Sequence, residues 1–377
     1  MVTRIINGKV LTENGFRETD LYIDGKTILA VGGTIAYDNT VDAAGSYVTA
    51  GFIDLHCHGG GGADFADGDV EGVKIAAKTH LKHGTTSLFP TVSAKNFQTL
   101  EKAVSTLEQV GPEVPNLMGI HLEGPYFSPA QSGAQNTKAL KTPQPEEYGR
   151  ILDQYKIARW DYAPELDEDK AFLKALLDAG VIPAAAHTDA TCDRMEAVAK
   201  VGCKLITHLY SCTSTIRREG GFRIPGVTEA AYLIDDMDAE LIADGCHLPH
   251  SLLRLAYKLK GADRLALVTD AMRATDMGDS GVFEIAGMAC IIEDGVAKLP
   301  DRSAFAGSVA TADRLIRTCQ AAGIPLEDSV KMMTQTPARI MGLTGKGQLK
   351  PGWDADIVVF DENIRVQAVF LQGEKVL

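Results

Sequence analysis

Between residues 49 and 345, short apolar runs alternate with segments of helical periodicity. The strand candidates are 51–58, 85–90, 117–123, 158–163, 182–187, 204–208, 239–243 and 264–270. Helical stretches separate them. In 169–179, Phe172, Ala175, Leu176 and Ala179 fall on one face, and 100–110 and 252–259 follow the same period. Eight strands with intervening helices predict an α/β fold, a (β/α)8 TIM barrel over 51–345. The competing arrangement is an open doubly wound sheet. The barrel is preferred because polar residues end many of the strands, at the rim where barrels carry their chemistry. Residues 283–299, after the last strand, read as β and are expected to form an inserted hairpin.

The two ends have a different grammar. Short strands with the turn signals Asn7-Gly8 and Asp24-Gly25 fill the first 50 residues. Asp356-Ile357-Val358-Val359-Phe360 and Val366-Gln367-Ala368-Val369-Phe370 repeat this style near the other end. Neither end has strands enough for its own core. Residues 1–50 and 346–377 are therefore expected to make one small β-sandwich domain together.

Composition changes this picture little. Of 377 residues, 45% are hydrophobic and 23% charged, near the soluble average. No apolar run reaches the roughly 18 residues of a membrane span, and Met1-Val2-Thr3-Arg4-Ile5-Ile6-Asn7-Gly8 lacks the apolar stretch of a signal peptide. A cytoplasmic location and no membrane partner are the expectations. The 7 cysteines are odd in number and form no C-x-x-C pair, so reduced, mostly buried thiols are expected. A net charge of −13 argues against a nucleic-acid partner. It leaves room for a phosphorylated small molecule, which needs only a few local cations.

The chemistry lies at strand ends. His56-Cys57-His58 places two imidazoles on one side of a strand, with Cys57 pointing away. Glu123 follows Gly119-Ile120-His121-Leu122; His187 ends Pro183-Ala184-Ala185-Ala186; His208 ends Leu205-Ile206-Thr207; Asp270 ends Leu265-Ala266-Leu267-Val268-Thr269. In a barrel these five ends meet above one rim. Imidazole and carboxylate suit zinc or iron, and one carboxylate can bridge two ions. Taken singly, each has a plainer reading: a strand-end histidine as a hydrogen-bonded structural group, an acid as a helix cap, Glu123 as a turn residue before Gly124-Pro125. The plain readings weaken together, because all five fall at the ends of apolar strands. His80 and His83, on a helix with no strand-end position, are read as structural or exposed, and His121 as support for the ligands. Gly59–Gly62 lacks the Gly-Lys-Ser/Thr of a phosphate loop and instead lets the chain pass close to the metal site.

These segments resemble the amidohydrolase superfamily, and more narrowly the N-acetylglucosamine-6-phosphate deacetylases. Gly51-Phe52-Ile53-Asp54-Leu55-His56-Cys57-His58-Gly59, His121-Leu122-Glu123-Gly124-Pro125, Ile206-Thr207-His208-Leu209-Tyr210, Ile242-Ala243-Asp244-Gly245-Cys246-His247 and Leu267-Val268-Thr269-Asp270-Ala271 carry the resemblance. Ala306-Gly307-Ser308, Pro337-Ala338-Arg339 and Gly347-Gln348-Leu349-Lys350-Pro351-Gly352-Trp353-Asp354-Ala355-Asp356 extend it over nearly the whole chain. It implies a barrel, a β domain built from both ends and a homodimer. It implies that Glu123, His187 and His208 hold one divalent metal, zinc or else iron. His56 and His58 match positions that hold a second in some members and not in others, so one or two ions per chain are implied, with two favoured. It implies that Asp270, at the metal, is the catalytic acid/base and that His247 contacts substrate. Gln135 falls where members carry histidine or glutamine and is read as a pocket residue. Of the arginines in Ile216-Arg217-Arg218-Glu219-Gly220-Gly221-Phe222-Arg223-Ile224-Pro225-Gly226, Arg223 best matches the one that contacts phosphate, often across the dimer, and Arg218 is second. The alternative is a solvated loop. Many members have Asn-Ala-Met after the Thr-His-Leu-aromatic segment, where this chain has Ser211-Cys212-Thr213.

The implied reaction is hydrolysis of N-acetylglucosamine 6-phosphate to acetate and glucosamine 6-phosphate. Rival readings are a deacetylase of another N-acetylhexosamine phosphate, such as the galactosamine epimer, a cyclic-amide hydrolase, and a non-enzymatic sugar-phosphate sensor. The cyclic-amide enzymes often bridge their metals with a carboxylated lysine at the end of strand four, and 157–163 holds no lysine. A sensor has no need of the acid/base at Asp270.

Overall fold

The computed structural model describes all residues except 94, 95, 279 and 286 and the side chain of Ile285. At its centre stands a sheet of eight parallel strands in chain order: β1 (Phe52–Cys57), β2 (Thr85–Val92), β3 (Ile120–Glu123), β4 (Ile157–Tyr162), β5 (Ile182–Ala185), β6 (Leu205–Ile206), β7 (Asp238–Leu241) and β8 (Leu265–Leu267). The last strand returns to the first. The Asp270 amide donates to the His56 carbonyl at 2.8 Å and Cys57 bridges Ala271 in parallel, closing the barrel at the strands' C-terminal ends. At the opposite end the main chain of Met332-Met333 wedges between them. There the Leu267 amide donates to Met332 and the Ile53 amide to Met333.

Helices α1 (Val70–Lys82), α2 (Phe97–Val110), α3 (Pro145–Gln154), α4 (Ala171–Asp178), α5 (Cys192–Ala199), α6 (Val227–Leu233), α7 (His250–Lys260) and α8 (Ala312–Ala321) surround the strands. Their starts are chemically marked. Asp69 accepts from the Gly72 amide ahead of α1, and Asn96 with Thr99 forms a capping box for α2. The helix expected over 169–179 begins two residues later, because the Asp167 carboxylate accepts from the Phe172 and Leu173 amides and caps it there. Phe172 then packs edge-on against Tyr126, Trp160 and Tyr162. Burial of such side chains contributes roughly 1.5–3 kcal/mol each.

Strands from both ends share a sheet. Tyr47–Ala50 lies between Lys9–Thr12, parallel, and Ile357–Phe360, antiparallel, which pairs in turn with Val366–Leu371. A second sheet runs Thr27–Val31, Leu21–Asp24, Val2–Ile6, Asn39–Asp42. Ile5, Val10, Leu21, Ile23, Val48, Ile357, Val359 and Phe370 form the common core of the two. The β segment after β8 is a three-stranded sheet, Gly281–Ile285, Met288–Glu293 and Val296–Lys298, rather than a hairpin; its second turn, Asp294-Gly295, adds the extra strand. Residue 286 of that segment lies outside the described residues.

Candidate metal centre

Every strand-end residue singled out in the sequence arrives at one place. Glu123, at the end of β3, is the hub. Its Oε1 lies 3.2 Å from His187 Nε2, 3.3 Å from His208 Nε2 and 3.6 Å from His56 Nε2, and its Oε2 lies 3.4 Å from His58 Nε2. His56 Nε2 and His58 Nε2 are 3.2 Å apart. Asp270 Oδ1 lies 3.4 Å from the former and 3.3 Å from the latter. Two ligand-type groups, His56-His58-Glu123 and Glu123-His187-His208, therefore share one carboxylate.

The spacing fits a metal. Bonds of about 2.0–2.1 Å arranged tetrahedrally hold ligand atoms about 3.3 Å apart, the separation found here. The two imidazole nitrogens 3.2 Å apart either share one proton between them or, with a cation in place, both turn their lone pairs to it. His187 is already oriented as a ligand. Its Nδ1–H donates to the Gln131 carbonyl at 2.9 Å, so Nε2 is the nitrogen turned toward Glu123 and available to a metal.

The charges are mutually dependent. Burial opposes ionisation of Glu123, but His56, His187, His208 and His58 outweigh it and hold its pKa well below the ordinary carboxylate value. Burial likewise acts against Asp270, and His56 and His58 bring its pKa down to about 2. Burial opposes protonation of His58, yet Asp270 and Glu123 lift its pKa well above 6.5.

Above the ligands lies a cavity of about 280 Å³. Gln135 reaches into it and its Nε2 donates to Glu123 Oε2 at 2.8 Å; Ser93 Oγ donates to Gln135 Oε1 at 2.7 Å and so fixes the amide's orientation. His247 lines the wall with its Nδ1 2.8 Å from Asp244 Oδ2, which turns Nε2 the other way. Phe305 packs on His247, with ring centroids 4.8 Å apart. Tyr210, Ser211 and Cys212 form another wall.

Arg218 and Arg223 are not brought to this cavity. They face each other across a hairpin, Arg217–Glu219 with Phe222–Ile224, and both are exposed. Among the described residues lining the cavity there is no lysine or arginine. Cys57 points away from the ligands, as alternation requires, and its Sγ lies 3.1 Å from His80 Nε2. His80 is fully buried, not exposed, and donates to the Gly59 carbonyl at 2.8 Å. Burial pushes its pKa down to about 4, so it is neutral.

Sequence reasoning gave no role to Ser93, just after β2, to Asp244, just beyond β7, or to Phe305, which lies far from any barrel strand. It also missed a charged layer beneath the ligands. Arg159 and Asp161 on β4, Thr207 after β6 and Glu240 on β7 are all fully buried and joined by hydrogen bonds. Charged residues at alternate positions inside otherwise apolar strands were the available signal.

Comparison with known proteins agrees with this geometry. The amidohydrolase family model matches residues 47–376. The N-acetylglucosamine-6-phosphate deacetylase of Lysinibacillus sphaericus is 33% identical over 339 residues, covering 88% of this chain and 86% of that one. A solved N-acetylglucosamine-6-phosphate deacetylase from Pasteurella multocida superposes with a TM-score of 0.93 at 27% identity, covering 100% and 99% of the two chains. A mutant of the Mycobacterium smegmatis deacetylase, solved in complex with N-acetyl-D-glucosamine-6-phosphate, gives 0.91 at 32% identity over 100% and 99%. With its barrel, its convergent histidines and matches running the length of the chain, the protein belongs to the amidohydrolase family.

Proposed function

We propose that this protein is a metal-dependent deacetylase that hydrolyses N-acetylglucosamine 6-phosphate to glucosamine 6-phosphate and acetate. The observation that carries the reading is the set of four imidazole Nε2 atoms and the Asp270 carboxylate gathered around Glu123 at the floor of one cavity. Relatives bearing that activity match the chain over most of its length. Residues 51–345 are read as the hydrolytic barrel, with 1–50 and 346–377 as its supporting β domain.

Glu123, His187 and His208 would hold one divalent ion, and His56 and His58, sharing Glu123, a second. Zinc suits the donor set, and iron is the alternative. When bound, such an ion acidifies water and polarises a carbonyl oxygen. The protein does the rest. Asp270, held ionised by the neighbouring imidazoles, takes the proton from the attacking water. It then returns that proton to the amine nitrogen as the C–N bond breaks. His247, steadied by Asp244, offers Nε2 to the substrate from the cavity wall. Gln135 and Phe305 border the remaining space.

The phosphate calls for an arginine or lysine, and among the described residues none lines the cavity of one chain. Arg223, or Arg218, is assigned that role from the partner of a homodimer, and a cytoplasmic setting suits the reaction. The test is acetate release from phosphorylated and unphosphorylated N-acetylhexosamines, in both epimers, with metals counted in the same sample. Equal turnover of all four would remove the phosphate and epimer assignments. No turnover of any by metal-replete protein would end the reading.

A further inference from the structure

We propose that Glu240 is a positioning residue: anchored by Arg159, it fixes which nitrogen of His56 carries the proton, and thereby controls the metal that depends on His56. This rests on the reading of His56 as a metal ligand.

The barrel interior directly below the ligands is charged. Arg159 Nη2 donates to Glu240 Oε2 at 3.1 Å, and Nη1 donates to Oε1, so both carboxylate oxygens are gripped. The same guanidinium donates through Nε to Asp161 Oδ1 at 2.8 Å and through Nη2 to Thr207 Oγ1 at 2.7 Å. Asp161 Oδ1 lies 3.0 Å from His121 Nε2. All of these groups are fully buried. A buried ion pair adds little net stability over apolar packing of the same volume, so stability alone does not account for charging this layer.

What the layer reaches is the ligand shell. Glu240 Oε2 lies 3.7 Å from His56 Nδ1 and accepts from the His208 amide at 3.4 Å. His56 Nδ1 is buried and has no hydrogen-bond partner within normal distance. Glu240 is the carboxylate facing it. An imidazole ligates through its lone pair, so a proton on Nδ1 is the condition for Nε2 to face Glu123 and His58 as a donor to metal. A carboxylate below Nδ1 favours that proton. Arg159 occupies both oxygens of Glu240 and prevents the side chain from turning to another partner.

The experiment uses the full chain. Ring-nitrogen-15 histidine labelling, with His56 assigned by its loss in His56→Ala, reads the His56 tautomer in metal-free protein. Elemental analysis and chelator competition read the metal. Glu240→Asp keeps the charge for Arg159 but withdraws it from His56 by one methylene. Glu240→Gln keeps the volume and presents an amide, and serves if the aspartate variant loses its cooperative melting transition. The expected result is an Nδ1–H tautomer for His56 in the unaltered protein, mixed tautomers in the variants, and a roughly 10–100-fold weaker second metal while the first is retained. An Nε2–H form in the unaltered protein overturns the proposal. So does a folded Glu240 variant with tautomer and metal content unchanged. The underlying reading fails separately, and takes the metal half of the proposal with it, if His56→Ala binds as much metal as the unaltered protein.

Discussion

His187, His208 and Asp270 each hold a positive φ, at 44°, 29° and 47°. Side-chain-bearing residues avoid this region, at a cost on the order of 1–3 kcal/mol each. All three directly follow, or lie just beyond, a barrel strand, and the turn swings each side chain inward over the rim. Gly307 sits against Asp270 in the same way: a Cβ there would meet the Asp270 carbonyl at 2.9 Å. The strain is held by the surrounding hydrogen bonds, among them Ser308 N–H to the Asp270 carbonyl at 2.7 Å. Asp270→Asn keeps this shape but removes the proton acceptor. Turnover in acetate release should fall roughly 10²–10⁴-fold, with substrate affinity in equilibrium binding and metal content near those of the unaltered protein. Near-normal turnover would falsify the role given to Asp270.

At the scale of elements, the hairpin formed by Arg217–Glu219 and Phe222–Ile224 stands out from the barrel. Its Phe222 is 76% exposed and Ile216 before it 56%, an unusual state for apolar side chains beside two exposed arginines. The cavity, by contrast, has no lysine or arginine of its own among the described residues. Arg223→Ala should raise KM for the phosphorylated substrate roughly 10–100-fold, the loss expected for a charge-assisted hydrogen bond. KM for the unphosphorylated sugar should stay unchanged. The same shift from Arg218→Ala alone would transfer the assignment to that residue, and no shift from either would leave the hairpin without a part in phosphate binding.

Across the whole molecule, the ring of helices closes where α1 meets α8. His83, the residue after α1, places Nδ1 3.4 Å from Asp313 Oδ1 at the start of α8, and Arg317 Nη1 donates to Asp313 Oδ2 at 2.7 Å. Burial acts against charging His83, but Asp313 outweighs it and the pKa is raised above 6.5. A raised folded value means that protonation stabilises the fold. The contribution is complete below the unfolded value of about 6.5 and disappears as pH climbs through the folded value. Asp313 works in the opposite sense: burial notwithstanding, His83, Thr311 and Arg317 lower its pKa to about 2, so its contribution holds above the unfolded value and is lost as pH falls toward 2. In calorimetric melting, His83→Gln should lower Tm most below the unfolded value of about 6.5, with the gap narrowing as pH climbs through the raised folded value. A gap independent of pH would show that His83 contributes packing and not charge.

The alternation of strand and helix, the eight strands and the polar residues at their ends were legible along the chain, because a barrel repeats one local unit and each unit carries its own period. His56, His58, Glu123, His187, His208 and Asp270 were legible for the same reason: each closes an apolar run. The three-dimensional fold alone decided what each would touch. Arg159 and Glu240 lie 81 positions apart and meet only because β4 and β7 face each other across the barrel. Gln135 lands on Glu123, and His80 under Gly59, through loop paths that no periodicity encodes. The exposed setting of Arg218 and Arg223 follows from a hairpin whose position depends on everything packed beneath it. Local order is written in side-chain period and turn chemistry; which distant charges share one dry interior is settled by closure of the sheet.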